Sequence, residues 1–399
     1  MKILIYRYNS ICEPDVIDAF CSVGLEVVEE TAEMENKNLL PSEQAKIVSR
    51  AIENNEPLFV FSVNFFPAIA DVCHIYHIPY VCWTVDCPVL ELFSPSIKHD
   101  TNCIFLFDYD QYLYFSRFNP KCIHYLTLAS AVERFDETLN VPMRADDFKK
   151  YECDISFVGS LYSEKNNMNK PQKELPEYIK GYIAGIVEAS LKVYGANFIE
   201  ESIDEKIVNA IKEASKDFYE PKTSVIDSTA YVVANDYIGI QVTEQERINN
   251  LNLLAQFYNV DLFTRSDTSL LKKVRVHGGV NTLTEMPYVF RNSKINLNFT
   301  SKSIHTGIPL RIFDIMGCGG FVMTNYQAEI PNYFDIGVEI ETYSCSDELV
   351  EKCEYYLRHD NERNRIALKG YERVCNEHRY IHKIKTMIKE ALEVAEGFR

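Results

Sequence analysis

Short runs of adjacent apolar residues alternate along this chain with longer stretches whose apolar positions return every three or four residues. The run KILIYRY at the start predicts a buried strand. PDVIDAFCSVGLEV predicts the helix after it and its exit, with Gly24 as the stop signal. A second helix is predicted over LLPSEQAKIVSRAIENN, opened by Pro41 and Ser42 with Glu43 in its first turn. PLFVFSVN (strand), PAIADVCHIYH (helix), PYVCWTVD (strand) and NCIFLFDY (strand) follow, the last running on as the aromatic strand IFLFDYDQYLYF. Strands separated by helices of this length imply βαβ units and a parallel, doubly wound sheet.

A second series starts at DISFVGSLYSEK. The stretch before it, ETLNVPMRADDFKKYEC, is polar, contains a proline and has no period, which places a domain boundary near residue 148. Residues 171–231 read as helical, with EYIKGYIAGIVEASLKVY and IDEKIVNAIKEASKDFY as the clearest segments. Alternation resumes with ERINNLNLLAQFY (helix), VDLFT and KVRVHG (strands), TEMPYVFRNS (helix), INLNFT (strand), a short apolar helix from Pro309, and GFVMTN (strand). The chain is helical from Ser346 onward. The expected fold is α/β: two doubly wound, Rossmann-like domains at 1–148 and 149–399. The second carries a helical elaboration at about 171–231, and the C-terminal helices are candidates to pack back on the first.

The length of 399 residues exceeds what a single core usually supports and agrees with two domains. A net charge of −17 argues against nucleic acid or an anionic membrane surface as partner, since either needs a basic face. Any phosphate must therefore be held by a local site. The twelve cysteines show neither CxxC pairs nor finger spacing. MKILIY enters a strand with no secretory layout, and no run approaches a membrane span, so a cytoplasmic protein is expected.

In doubly wound sheets ligands sit beyond the C-terminal ends of the strands. That selects the loops at Tyr6 to Ser10, Ser62 to Phe66, Thr84 to Pro88, Gly159 to Lys165, His277 to Asn281 and Ser301 to Leu310. Gly159 directly follows a buried strand, where a backbone without Cβ lets a phosphate or sugar approach. Lys165 is a point charge six residues on. Gly307 and Pro309 lead into a helix start whose free N–H groups favour an anion. Asp314 lies about one turn inside that helix, placed to accept hydrogen bonds from two adjacent hydroxyls.

The order FVGSLYSEK, then VRVHGGVNTLTEMPYVFRNSKINLNF, then GIPLRIFDIMGCGG resembles the donor-binding domain of GT-B glycosyltransferases. Within that fold it is most similar to the CgeB-like group (spore maturation protein relatives), which also shares a segment like SVNFFPAIADVCHIYHIPYVCWTVDCP. The resemblance spans residues 58–92 and 154–382. It implies two Rossmann-like domains facing a cleft and transfer of a sugar from a nucleotide-diphosphate sugar, with UDP the first choice of nucleotide. It places Asp314 on the ribose hydroxyls and Lys165 on the diphosphate. His277 and Gly278 line the base pocket, and Gly307 and Ile308 face sugar and phosphates; Pro309 and Leu310, at the helix start, join them as donor-binding candidates. Gly159 and Ser160 complete the donor set.

Two positions depart from the family pattern: Thr306 stands where a second acidic residue is frequent, and Ser160 where an arginine is. Arg311 is the candidate to supply the missing charge in catalysis. In the first domain Asp86 is the candidate general base for an inverting transfer. Tyr8, Asn9 and Asn64 are candidates on the acceptor side.

No metal or other cofactor is expected. The triplet DYD at Asp108–Asp110 mimics a metal motif without its supporting pattern. Cys73, His74 and His77, like His378 and His382, read as packing or capping residues. Arg311 and Asp314 also have the spacing of a plain i,i+3 ion pair. The competing functions are a non-catalytic nucleotide or sugar binder on a decayed transferase fold, and a dinucleotide-dependent oxidoreductase. The latter lacks any G-x-G-x-x-G after a strand. The acceptor, glycan or protein, and the oligomeric state leave no signature.

Overall fold

The computed structural model describes residues 1–141, 148–219, 221 and 223–397. They form two compact units. The first comprises Met1–Ala129, Pro221–Asp227 and His378–Arg399; the second comprises Ser130–Glu220 and Ser228–Glu377.

The first unit is built on a six-stranded parallel sheet of β1 (Lys2–Tyr6), β2 (Glu26–Glu30), β3 (Val60–Val63), β4 (Tyr80–Trp83), β5 (Asn102–Leu106) and β6 (Ile123–Tyr125), in the order β2-β1-β3-β4-β5-β6. Every residue of β3, β4 and β5 is buried, as expected for central strands covered on both faces. The chain runs out from β1 to β2 and returns across β1 to β3, with Leu4 opposite Val60, so the switch point lies between β1 and β3. The predicted helix at Pro41 spans Pro41–Asn55. Pro41 occupies its first turn and the Glu43 carboxylate accepts the Leu40 N–H at 2.8 Å.

The last helix, Tyr380–Gly397, belongs to this unit: Tyr380 meets Trp83 edge-on at 5.7 Å, and Lys383 Nζ donates to Thr127 Oγ1 at 2.6 Å. Burying Ile384 and Met387 stabilises that attachment by about 1.5–3 kcal/mol each.

The second unit repeats the design with β7 (Cys153–Val158), β8 (Val260–Phe263), β9 (Arg275–Val276), β10 (Ser293–Asn298), β11 (Val322–Asn325) and β12 (Glu341–Tyr343), all parallel, in the order β12-β11-β10-β7-β8-β9. Its switch point lies between β7 and β10, where Ile155 faces Ile295. The short apolar helix is Leu310–Gly317 with Pro309 as N-cap. Its glycines answer to packing. A Cβ on Gly317 would stand 1.9 Å from Ser130 Oγ, and one on Gly320 would stand 2.6 Å from the Phe290 carbonyl. Gly319 turns the chain at φ +70°, a left-handed conformation that glycine adopts freely.

Four features differ from the sequence reading. The aromatic run 104–115 is not one strand: β5 stops at Leu106, and Asp108 caps a helix over Tyr109–Ser116 by accepting the Gln111 N–H at 3.0 Å. Aromatic residues fit either state, and the capping carboxylate decides. Second, the crossing into the second unit falls at Ser130 rather than near 148, because the helix Val132–Leu139 packs under Gly317 and Phe313's helix. Part of the polar stretch expected to hold the boundary, residues 142–147, lies outside the described residues. Third, within the block 171–231, Pro221–Asp227 belongs to the first unit, where the Val225 N–H donates to the Phe93 carbonyl at 2.8 Å. Fourth, strands β2, β6 and β12 were not foreseen. All three are sheet edges, short enough or polar enough to lack a continuous apolar run.

Candidate functional site

In the first unit the loops after β1, β3 and β4 meet through one side chain. Asn64 follows β3 in the left-handed region (φ +59°), which asparagine tolerates better than most residues. Its Nδ2 donates to Tyr8 Oη at 2.8 Å and to Asp86 Oδ2 at 2.7 Å; its Oδ1 accepts the Val85 N–H at 3.0 Å. The structure thus brings together Tyr8, Asn64 and Asp86. Asp86 is exposed. The half-buried Tyr8 hydroxyl is pushed above its ordinary range by burial and then by the Asp86 charge. Asn9 is exposed and also left-handed, at φ +73°, and no side-chain bond joins it to this group.

In the second unit the candidates cluster beyond β7 and β10. Gly159 donates its N–H to the Phe263 carbonyl at 3.1 Å, and a Cβ there would press on the Phe157 ring at 3.3 Å. Ser160 is held from within the loop. Its Oγ donates to Glu164, accepts the Tyr162 N–H at 2.8 Å and lies 3.4 Å from Ser266 Oγ. Lys165 is exposed, its ammonium 4.6 Å from the centre of the Tyr162 ring. After β10, the turn through the buried Gly307 and Ile308 reaches Pro309 and the helix start at Leu310.

Asp314 is 6% exposed. Arg311 Nη1 stands 3.6 Å from Asp314 Oδ2, so the i,i+3 ion pair forms, and the guanidinium also lies over Phe290 at 5.4 Å and against the Met286 sulfur. The pair is embedded rather than solvated. A ligand hydroxyl reaching Asp314 would arrive beside a cation already in place.

His277 is drawn sideways to the sheet edge. Its Nε2 lies 2.6 Å from Asp261 Oδ1 and its ring stacks on Phe263 at 4.8 Å. Gly278 beside it has φ +74°, and a Cβ on Gly279 would stand 2.6 Å from the Arg265 side chain. The His277 side chain is thus committed to Asp261 rather than free to meet a ligand.

The residues that sequence reasoning missed lie on the helix Gly239–Leu254. Arg247 is buried, donating from Nη1 to the Ser160 carbonyl at 2.6 Å and from Nη2 to the Phe299 carbonyl at 2.7 Å. One side chain thus ties the ends of β7 and β10 across the switch point. Its guanidinium sits 4.2 Å from the Tyr162 ring centre, and Tyr162 is itself left-handed at φ +70°. Burial lowers the Arg247 pKa, and the Arg311 charge lowers it further.

Next to it, burial raises Glu246, opposed by Lys302 and Arg247; Lys302 is lowered by burial and donates to the Val193 carbonyl at 2.7 Å. Thr306, where an acidic residue was looked for, donates to Glu329 Oε1 at 2.6 Å, so a carboxylate arrives there from the loop after β11. The available signal was a polar series at 243, 246, 247 and 250, helical spacing that puts one face of a core helix on polar groups.

Chemically, the second unit sets Arg311 in the first turn of the Leu310 helix, close enough to Arg247 for their charges to interact, while Lys165 and Arg247 both stand against the Tyr162 ring, in a chain of net charge −17. A buried carboxylate lies one turn deeper. That combination suits an anion joined to a polyol.

Residues 247–389 match the family model described as "Glycosyl transferase-like". No curated protein sequence matches the chain significantly. Among solved structures it is similar to Anabaena Alr3699/HepE in complex with UDP (12% identity, 98% of this chain and 100% of that one, TM-score 0.52). A glycosyltransferase from Rickettsia africae aligns at 9% identity over 98% of both chains with a TM-score of 0.50. The N-terminal domain of a Candida albicans trehalose-6-phosphate phosphatase aligns at 9% identity over 98% of this chain and 89% of that one, TM-score 0.52. At these identities what is shared is the fold: a two-domain α/β GT-B fold.

Proposed function

We propose that this protein is a CgeB-like glycosyltransferase that moves a sugar from a nucleotide-diphosphate sugar to a hydroxyl acceptor without a divalent metal. The observation that carries the reading is the β10 loop. Buried Gly307 and Ile308 lead to a helix N-terminus, buried Asp314 lies one turn in, and Arg311 stands beside it. Asp314 would accept the two ribose hydroxyls. The Leu310 helix start, Arg311 and Lys165 would stabilise charge building on the leaving diphosphate, the role a metal plays elsewhere. UDP is the nucleotide of choice because it is the ligand named for the Anabaena structure.

Acceptor chemistry would belong to the first unit, where Asp86 at the end of β4 would take the acceptor proton as configuration inverts. All twelve cysteines are free, which fits a reducing compartment, and among the described residues no helix is long and apolar enough to cross a membrane.

The test is nucleotide release from a panel of UDP- and GDP-sugars, with and without EDTA, in wild type and Asp314→Ala. Turnover that survives EDTA and falls in the variant supports the reading. Turnover abolished by EDTA overturns metal independence, and UDP binding without turnover on any donor leaves a binding protein.

A further inference from the structure

The base proposed for the first unit is held by a neighbour whose own geometry is fully determined. The Asn64 amide makes four hydrogen bonds: Nδ2 to Tyr8 Oη and Asp86 Oδ2 at 2.8 and 2.7 Å, and Oδ1 from the N–H groups of Val85 and Asp86 at 3.0 and 3.4 Å. That is the full capacity of a carboxamide. It also fixes which end is which. Backbone N–H groups only donate, so the oxygen must face them and the NH₂ must face the carboxylate. The amide therefore always donates to Asp86.

The backbone of Asn64 is pinned as well. Its N–H donates to the Trp83 carbonyl at 2.9 Å, and its carbonyl accepts Ser62 Oγ at 2.7 Å. Its φ of +59° admits asparagine, aspartate or glycine with little strain. Behind it, Ser62 Oγ lies 2.6 Å from the Tyr80 hydroxyl, which also accepts the Phe66 N–H, so the post is buttressed from a buried layer. Asp86, in contrast, is exposed, and is held by its bonds to the Asn64 amide.

We infer that Asn64 is the positioning residue of the acceptor side. It fastens Asp86 Oδ2 to the end of β3 and leaves Oδ1 as the oxygen presented to the acceptor hydroxyl. Tyr8, on the second N–H of the same amide, ties the β1 loop into the same frame. The inference rests on the transferase reading, and on Asp86 as base in particular. It adds that the aim of the base is set by the β1/β3 switch point rather than by the loop that carries it.

The experiment is a double-mutant cycle. Asn64→Gly keeps the left-handed backbone and deletes the amide. Asn64→Asp keeps the backbone and the two acceptor bonds but can no longer donate to Asp86. Each is made in the wild-type and Asp86→Asn backgrounds. Nucleotide release is followed with the UDP-sugar that turns over in the panel, and UDP affinity is measured by calorimetry.

Both single variants are expected to lower kcat by about tenfold to a hundredfold, the scale of a misplaced catalytic group, with donor KM and UDP affinity within about twofold of wild type. In the Asp86→Asn background neither should lower kcat further. A kcat loss of equal size in both backgrounds, or none in either, overturns the inference while leaving Asp86 as base. If Asp86→Asn alone leaves kcat unchanged, the reading of Asp86 fails and the inference falls with it.

Discussion

Replacing Arg247 with methionine keeps the length and most of the volume of the side chain but removes both bonds across the second unit's switch point. The Ser160 and Phe299 carbonyls would each lose a charged donor, at 2.6 and 2.7 Å. A hydrogen bond to a charged group contributes about 1.5–3 kcal/mol, so the gross loss is roughly 3–6 kcal/mol. Part of this returns because the guanidinium no longer has to be desolvated, and replacing a buried ion by an apolar residue is often mild for that reason. Here the carbonyls remain where the strands put them without their charged donor, and Glu246 loses one of the two cations that oppose the effect of its burial, keeping Lys302.

The expected net cost is about 3 kcal/mol, or roughly 6–12 °C in Tm for a unit of this size. Arg247→Lys retains the charge but offers a point cation that reaches one carbonyl, so about half that loss is expected. Thermal and urea unfolding of the whole chain, followed by far-UV dichroism, provides the measurement. Because the same clamp sets the spacing of the Gly159 and Ser301 loops, UDP affinity should fall in parallel with stability. Stability of the methionine variant within about 0.5 kcal/mol of wild type would refute the claim that the clamp holds the two strand ends.

Gly317→Ala would drive a methyl to within 1.9 Å of Ser130 Oγ and 3.2 Å of Phe135. Overpacking of about 1–3 kcal/mol is expected, with partial recovery in Gly317→Ala/Ser130→Gly, both read by urea unfolding. Asp314→Asn should weaken UDP binding about tenfold or more in calorimetry, since a neutral amide replaces the charged acceptor proposed for the ribose hydroxyls. Burial pushes the His124 imidazole below its ordinary value of 6.5, against the opposing pull of Glu390 and Glu393. Its folded state therefore binds protons less readily than its unfolded one. The stability contributed is full above pH 6.5 and lost as pH falls through the folded value. The wild-type Tm should drop on going from pH 7.5 to pH 5 by more than that of His124→Gln.

Much of this molecule is legible in one dimension. The central strands of both sheets are continuous apolar runs because helices cover both of their faces, and the helices between them carry their own start signals, as Pro41 and Glu43 do. The loops worth watching follow from the same pattern, since strand ends are where doubly wound sheets expose backbone. Local chemistry is legible too: the spacing of Arg311 and Asp314 alone predicts that they can pair.

What tertiary structure alone decided are the contacts that join residues far apart in the chain. Asn64 meets Asp86 and Tyr8 across three loops, Arg247 reaches two carbonyls on different strands, and Thr306 finds its carboxylate at Glu329. The edge strands and the crossing at Ser130 belong to the same class. Periodicity records which face of an element is buried; it carries no record of what lies opposite that face, and a hydrogen bond depends on both partners at once.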